Sequence, residues 1–99
     1  MIHQTTPTEV KSWLEIGTKK VVLDVREASE VSQGKIPGAL NIPLGLLSFR
    51  TQELDKRSEY IVVCLSGGRS MMASELLSSQ GFVVYNMQGG MGAWDGKIE

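Results

Sequence analysis

Three runs of apolar residues, rich in β-branched side chains, punctuate this chain: Val21 to Leu23, Tyr60 to Val63 and Phe82 to Tyr85. Each is nearly continuous and does not alternate with polar residues. That is the pattern of strands buried on both faces of a parallel sheet. The strands are expected over Val21–Val25, Tyr60–Val63 and Phe82–Asn86. Two weaker runs, Ile2–Thr5 and Ala39–Ile42, read as a short edge strand and a short strand ended by Pro43. Between the strands the spacing changes to three and four. Thr6-Pro7-Thr8-Glu9 is a helix start, with Thr6 as N-cap, Pro7 in the first turn and Glu9 completing a capping box. Val10, Trp13 and Leu14 then share a face as core packing, and Gly17 stops the helix. Ala28–Gln33 reads as a short helix stopped by Gly34. Lys35 to Gly38 is a turn. Gly45–Thr51 is expected to be helical, with Leu46, Leu47 and Phe49 buried. Glu53–Glu59 reads as a charged, solvated loop. A helix from Ser70, its N-cap, to about Gln80 would bury Met72, Ala73, Leu76 and Leu77, with Gly81 as its stop.

Strands that alternate with helices predict one α/β domain over residues 1–99, a mostly parallel central sheet of about five strands with helices on both faces. No internal repeat or linker interrupts it. A length of 99 residues suits a single core. Net charge is −1, so any positive field is local and no nucleic-acid or membrane surface is indicated. No apolar run approaches the roughly 18 residues of a membrane span. The first residues have neither the basic region nor the apolar core of a signal peptide. With one cysteine there is no internal disulfide, which fits a reducing compartment, and the cytoplasm is the expected location. A monomer is expected. His3 and Cys64 are each the only residue of their type, so no metal is expected and no cofactor is implied.

The candidate chemistry sits at one place. Cys64 ends the Tyr60–Val63 run and is followed by Leu65, Ser66, Gly67, Gly68, Arg69 and Ser70. A lone cysteine at the end of an apolar strand is commonly a small buried hydrophobe. Here a tight turn opens a helix, whose free N–H groups and positive dipole end favour an anion. Gly67 and Gly68 let several N–H groups converge, and Arg69 adds a permanent positive charge. Such a field favours a thiolate. Arg69→Ala is therefore expected to raise the Cys64 pKa. At the end of the Val21–Val25 strand stand Asp24, Arg26 and Glu27. Ligands bind beyond the carboxyl ends of parallel strands, so these charges could line the site; equally, they could pair with one another and cap the next helix. Gly89, Gly90 and Gly92 follow the last strand and suggest a close backbone approach at the same sheet edge. They lack the spacing of a phosphate or dinucleotide motif.

Four segments together resemble a single rhodanese domain over nearly the whole chain. They are Asp24 to Glu30, Gly34 to Pro43, the Cys64 to Ser70 loop, and Gln88 to Trp94. The resemblance implies a sulfurtransferase in which Cys64 takes the outer sulfur of a donor such as thiosulfate, becomes a persulfide and passes the sulfur to cyanide or a thiol. The N–H groups of Leu65, Ser66, Gly67, Gly68 and Ser70 would cradle the sulfur and the incoming anion, with Arg69 assisting electrostatically. Asp24 and Arg26 would stand behind them. The implied partners are a small anionic sulfur donor and a thiol acceptor, which could be carried by a protein. Two positions depart from the family pattern: Lys35 stands where a histidine is usual, and Leu65 where a polar or basic residue is common. Lys35 is given no catalytic task. Leu65 makes the mouth less cationic, which counts against strong thiosulfate binding.

The related cysteine phosphatases and arsenate reductases place five residues between cysteine and arginine; this chain has four, Leu65 to Gly68. The resemblance also admits a non-catalytic module, against which the presence of Cys64 argues, and a protein-to-protein sulfur relay. A Cys64–His3 dyad would need a residue outside all four segments.

Overall fold

A computed structural model describes residues 2–99. Five strands form one sheet in the order β1-β5-β4-β2-β3, and every neighbouring pair is parallel. They are β1 (Ile2–Thr5), β2 (Val21–Asp24), β3 (Leu40–Asn41), β4 (Glu59–Val63) and β5 (Val83–Met87). The helices are α1 (Pro7–Glu15), α2 (Ala28–Val31), α3 (Leu44–Arg50) and α4 (Gly68–Ser79), with 3-10 turns at Thr51–Glu53 and Met91–Ala93. The weak Ile2–Thr5 run is a true edge strand, held to β5 in the register His3 to Tyr85 and Gln4 to Asn86.

Alternation along the strands divides the core. One layer joins Leu23, Tyr60, Val62, Cys64 and Val84 to Leu47, Ala73 and Leu77 of α3 and α4. The other joins Val22, Ile61, Val63 and Met87 to Val10 of α1, with Trp13, Leu14 and Trp94 packed against it. Helices therefore cover both faces, as a parallel sheet requires. The α1 start follows the capping box: Glu9 N–H donates to Thr6 Oγ1 at 3.2 Å, and Thr6 N–H donates to Glu9 Oε1 at 3.1 Å.

Several local expectations are corrected. In α3 only Leu47 is buried, while Leu46 and Phe49 are exposed. Met72 is also exposed, and α4 instead buries Ser70, Ala73, Ser74 and Leu77. The buried stripe is small and partly polar, so a search for apolar residues shifts the face by one position. The N-cap of α4 is Gly67, at φ 112°, not Ser70. Its left-handed backbone needs glycine, and it begins the helix three residues earlier than a serine cap would. The segment after α3 is less solvated than its charges suggest. Leu54 is buried there, and Asp55 N–H donates to Tyr60 Oη at 2.8 Å.

Candidate active site

Cys64 follows β4, a central strand, and is 1 % exposed. Gly67 N–H donates to its Sγ at 2.9 Å, and Sγ lies 3.5 Å from Ser70 Oγ. Burial pushes the Cys64 thiol pKa up. The Ser70 hydroxyl, once it turns its hydrogen to the anion, and the backbone N–H groups of Ser70, Gly67 and Ser66 pull it down, and the balance lies below the ordinary thiol value. Hydrogen bonds to the charged form are the cause. The turn after β5 is what aims these groups. Met91 N–H donates to Cys64 O at 2.7 Å, and Gly92 N–H donates to Leu65 O at 2.8 Å. A trans peptide points its N–H opposite to its C=O. Holding the Leu65 carbonyl toward the 91–92 turn therefore directs the Ser66 N–H the other way, to the sulfur. The glycine-rich segment after the last strand thus approaches closely, as its composition suggests.

Arg69 does not face the sulfur alone. Its Nη1 and Nη2 donate to Glu30 Oε1 and Oε2 at 2.6 and 2.9 Å. Glu30 first, and to a smaller degree Cys64 and Glu27, hold the guanidinium charged beyond its ordinary range. The charge is thus shared between α2 and the loop. The low thiol pKa of Cys64 rests chiefly on N–H groups and a hydroxyl, so Arg69→Ala should move it less than the sequence suggests. The Arg69 hydrogen bonds, helped by Glu27 N–H, hold the Glu30 carboxyl well below 4.5, at about 2. A depressed acid stabilises the fold above its unfolded pKa and loses that contribution as pH falls through the folded value. The window is therefore about 4.5 down to about 2. With the two side chains 34 % and 29 % exposed, the pair contributes about 0.5–1 kcal/mol after screening. Glu30→Gln should lose that amount at pH 7 and show a flatter decline through the window, read from urea midpoints at several pH values.

Asp24 and Arg26 are buried and belong to a different set of contacts. Arg26 Nη2 and Nε donate to the Asp24 carboxylate at 2.8 and 3.1 Å, and Nη2 also donates to Gly34 O at 2.8 Å. Asn41 Nδ2 donates to the carbonyls of both, each at 2.9 Å. The pair ties the end of β2 to β3 and to the turn after α2, so these two charges partner each other. Glu27 caps α2 through a capping box with Glu30. Lys35 Nζ donates to Ala39 O at 3.0 Å and pairs with Glu99 at 3.1 Å, so it fastens the last residue to the 35–39 turn. His3 stacks on Tyr85 with 4.6 Å between centroids. Tyr85 and Asn86 alternate on β5, which puts His3 on the side of the sheet away from Asn86, Ser70 and Cys64. Among the described residues no group of His, Cys, Asp or Glu is disposed to hold a metal ion, and no helix is long and apolar enough to cross a membrane.

The sequence does not single out Asn86. It is buried on β5, and Ser70 Oγ–H donates to its Oδ1 at 2.6 Å. Its one signal is a polar residue closing an otherwise apolar strand.

A family model described as "Rhodanese-like domain" matches residues 6–97. The chain belongs to this family. As a rhodanese-like domain it is 38 % identical over 98 residues to the Bacillus subtilis protein "Putative sulfurtransferase YtwF", covering 99 % of this chain and 95 % of that protein. It is 44 % identical over 79 residues to "Putative sulfur carrier protein YrkF" of the same organism, spanning 79 % of this chain but only 43 % of YrkF. The crystal structure of a rhodanese-like domain protein from Staphylococcus aureus superposes with a TM-score of 0.92 at 32 % identity, over 98 % of this chain and 96 % of that one. The four sequence segments and the five-stranded parallel sheet therefore belong to one rhodanese-like fold.

Proposed function

We propose that this rhodanese-like domain is a sulfurtransferase that carries a sulfane sulfur as a persulfide on Cys64. The observation that carries the reading is a buried sulfur that accepts from Gly67 N–H at 2.9 Å at the start of α4, with the Ser66 and Ser70 N–H groups favouring its anion in the same sense. A ring of donors already in place stabilises the thiolate and then the persulfide anion without reorganisation. In the first half-reaction the Cys64 thiolate attacks the outer sulfur of the donor. An Sγ–S bond forms and the donor's S–S bond breaks; from thiosulfate, sulfite leaves with the electron pair. In the second, cyanide or an acceptor thiolate attacks the outer sulfur of the persulfide. Thiocyanate or an acceptor persulfide is formed, and the Cys64 thiolate is restored. Among the remaining loop residues, Leu65 and Gly68 shape the mouth and Arg69 supports the loop electrostatically.

Protein-borne donors and acceptors are favoured over free thiosulfate. Leu65 is 49 % exposed at the mouth, where a cation would serve a dianion better. The cation of the loop itself, Arg69, is already paired with Glu30. The relative named as a sulfur carrier fits the same view. The test is intact-protein mass after incubation with thiosulfate, and separately with a persulfidated protein donor, then again after adding cyanide or a dithiol. A gain of one sulfur that the acceptor removes is expected, faster from the protein donor. No gain from either donor would overturn the proposal.

A further inference from the structure

The Ser70 hydroxyl has one hydrogen and three acceptors around it: Asn86 Oδ1 at 2.6 Å, Gly67 O at 3.1 Å and Cys64 Sγ at 3.5 Å. The shortest contact takes the hydrogen, so in this arrangement the sulfur is the donor and Ser70 Oγ accepts from the thiol. Asn86, only 5 % exposed, passes the polarity onward: its Nδ2 donates to Gln4 Oε1 at 3.0 Å. Gln4 is the outer end of the chain of bonds. It is exposed, and it is the neighbour of Asn86 in the sheet register. Its Oε1 also accepts from Gln88 Nε2 at 3.4 Å, and its Nε2 faces the weak acceptor Met71 Sδ at 3.5 Å. A continuous line of hydrogen bonds thus runs from the buried sulfur to an exposed amide.

That polarity suits a thiol and conflicts with an anion. A thiolate or a persulfide anion can only accept. Once Ser70 turns its hydrogen to sulfur, its oxygen and Asn86 Oδ1 face each other as two acceptors, which is costly in a buried site. The conflict is relieved if the Asn86 amide turns over and offers Nδ2–H to Ser70. Its Oδ1 then faces Gln4, which must turn as well and offer Nε2–H. Gln4 can do so cheaply, because it gives up only a long contact and a thioether contact at the surface. We propose that Asn86 and Gln4 are positioning residues that reverse this hydrogen-bond chain when Cys64 becomes an anion. No proton travels through the amides. The thiol proton leaves to solvent, and only the hydroxyl and the two amides change orientation. The proposal rests on Cys64 being the sulfur carrier.

The charges near the sulfur are paired and lie off this line. α4 brings Arg69, bound to Glu30 of α2, with Glu27 alongside. β2 ends in the Asp24–Arg26 pair. On the Cys64 side of the sheet, β5 and β1 bring the uncharged Asn86 and Gln4. α3 contributes the apolar Leu44 and Leu47.

The test uses the exposed end, where substitution spares the fold. A carboxylate can only accept and an ammonium can only donate. Gln4→Glu therefore fixes the chain in its thiol orientation, and Gln4→Lys in its anion orientation. The pH dependence of Cys64 alkylation by iodoacetamide is measured for both variants, in the otherwise native chain and in a Ser70→Ala chain. Expected are opposite shifts, upward for Glu and downward for Lys, of about half a pKa unit or more, a roughly threefold change in thiolate fraction. Both should collapse in the Ser70→Ala background. Equal shifts in the two backgrounds would reduce the effect to charge acting through space, and absent shifts would remove the chain; either overturns the proposal. Alkylation needs no sulfur donor, so the chain can fail this test while sulfur uptake persists, and the reverse.

Discussion

A Cys64→Ser protein is expected to fold as the native chain does and to take up no sulfur from any donor. The substitution is nearly isosteric at a site built from backbone groups. A serine oxygen can still accept from Gly67 N–H, which lies 2.9 Å from the native sulfur, and can still meet Ser70 Oγ. Stability should therefore move by no more than about 1 kcal/mol. The chemistry does not survive. A hydroxyl stays protonated at neutral pH even where a thiol ionises, and oxygen forms no counterpart of the persulfide. Removing a nucleophile costs orders of magnitude, so thiocyanate formation should fall by at least about a thousandfold. Unchanged urea midpoints together with absent mass gain would locate the loss in the sulfur atom. Retention of even a tenth of the activity would take Cys64 out of the mechanism.

The features legible in the sequence are those whose causes are local. The Thr6–Glu9 capping box and the buried runs at Val21, Tyr60 and Phe82 each carry their signal within a few residues, and each forms where that signal lies. The loop after Cys64 is legible because a strand end, a glycine pair and a helix start follow in immediate succession. What the sequence hides depends on pairs distant in the chain. Glu30 meets Arg69 across 39 residues, and Asn86 meets Gln4 across 82. Nothing in the spacing of either residue announces its partner. The buried face of α4 is hidden for another reason. Close packing of the helix on β4 and β5 selects small residues, so Ser70, Ala73 and Ser74 take the inner positions beside Leu77 and the larger Met72 turns outward. Volume, and not hydrophobicity, decides that face. Ser74 Oγ is left there without a hydrogen-bond partner among the described residues.

Gly90→Ala is expected to unseat the sulfur site without touching the cysteine side chain. Gly90 sits at φ 57° and ψ −159°, a backbone region held essentially by glycine alone. A Cβ there would lie 2.5 Å from both Cys64 O and Leu65 O. Those atoms are main chain and cannot rotate aside. They are also the two carbonyls that Met91 and Gly92 N–H hold at 2.7 and 2.8 Å. To admit a methyl group the turn must back away and give up both bonds. The peptides after Cys64 then lose the restraint that aims Ser66 N–H at the sulfur. Backbone strain of about 1–3 kcal/mol and two lost hydrogen bonds of about 0.5–1.5 kcal/mol each place the total at about 2–6 kcal/mol. The thiol pKa should rise in step, because the N–H groups that lower it are no longer held in place. Gly45→Ala is the control: a Cβ at this α3 position meets nothing within 4 Å, and its φ is not positive. Replacing glycine there removes freedom from the unfolded chain and should be neutral or stabilising by up to about 1 kcal/mol. Urea denaturation and the pH dependence of Cys64 alkylation should therefore separate the two variants on both axes. If Gly90→Ala matched Gly45→Ala in stability and in thiol titration, the turn after β5 would not be the clamp that orients the loop, and the low thiol pKa would have to come from the α4 N-terminus alone.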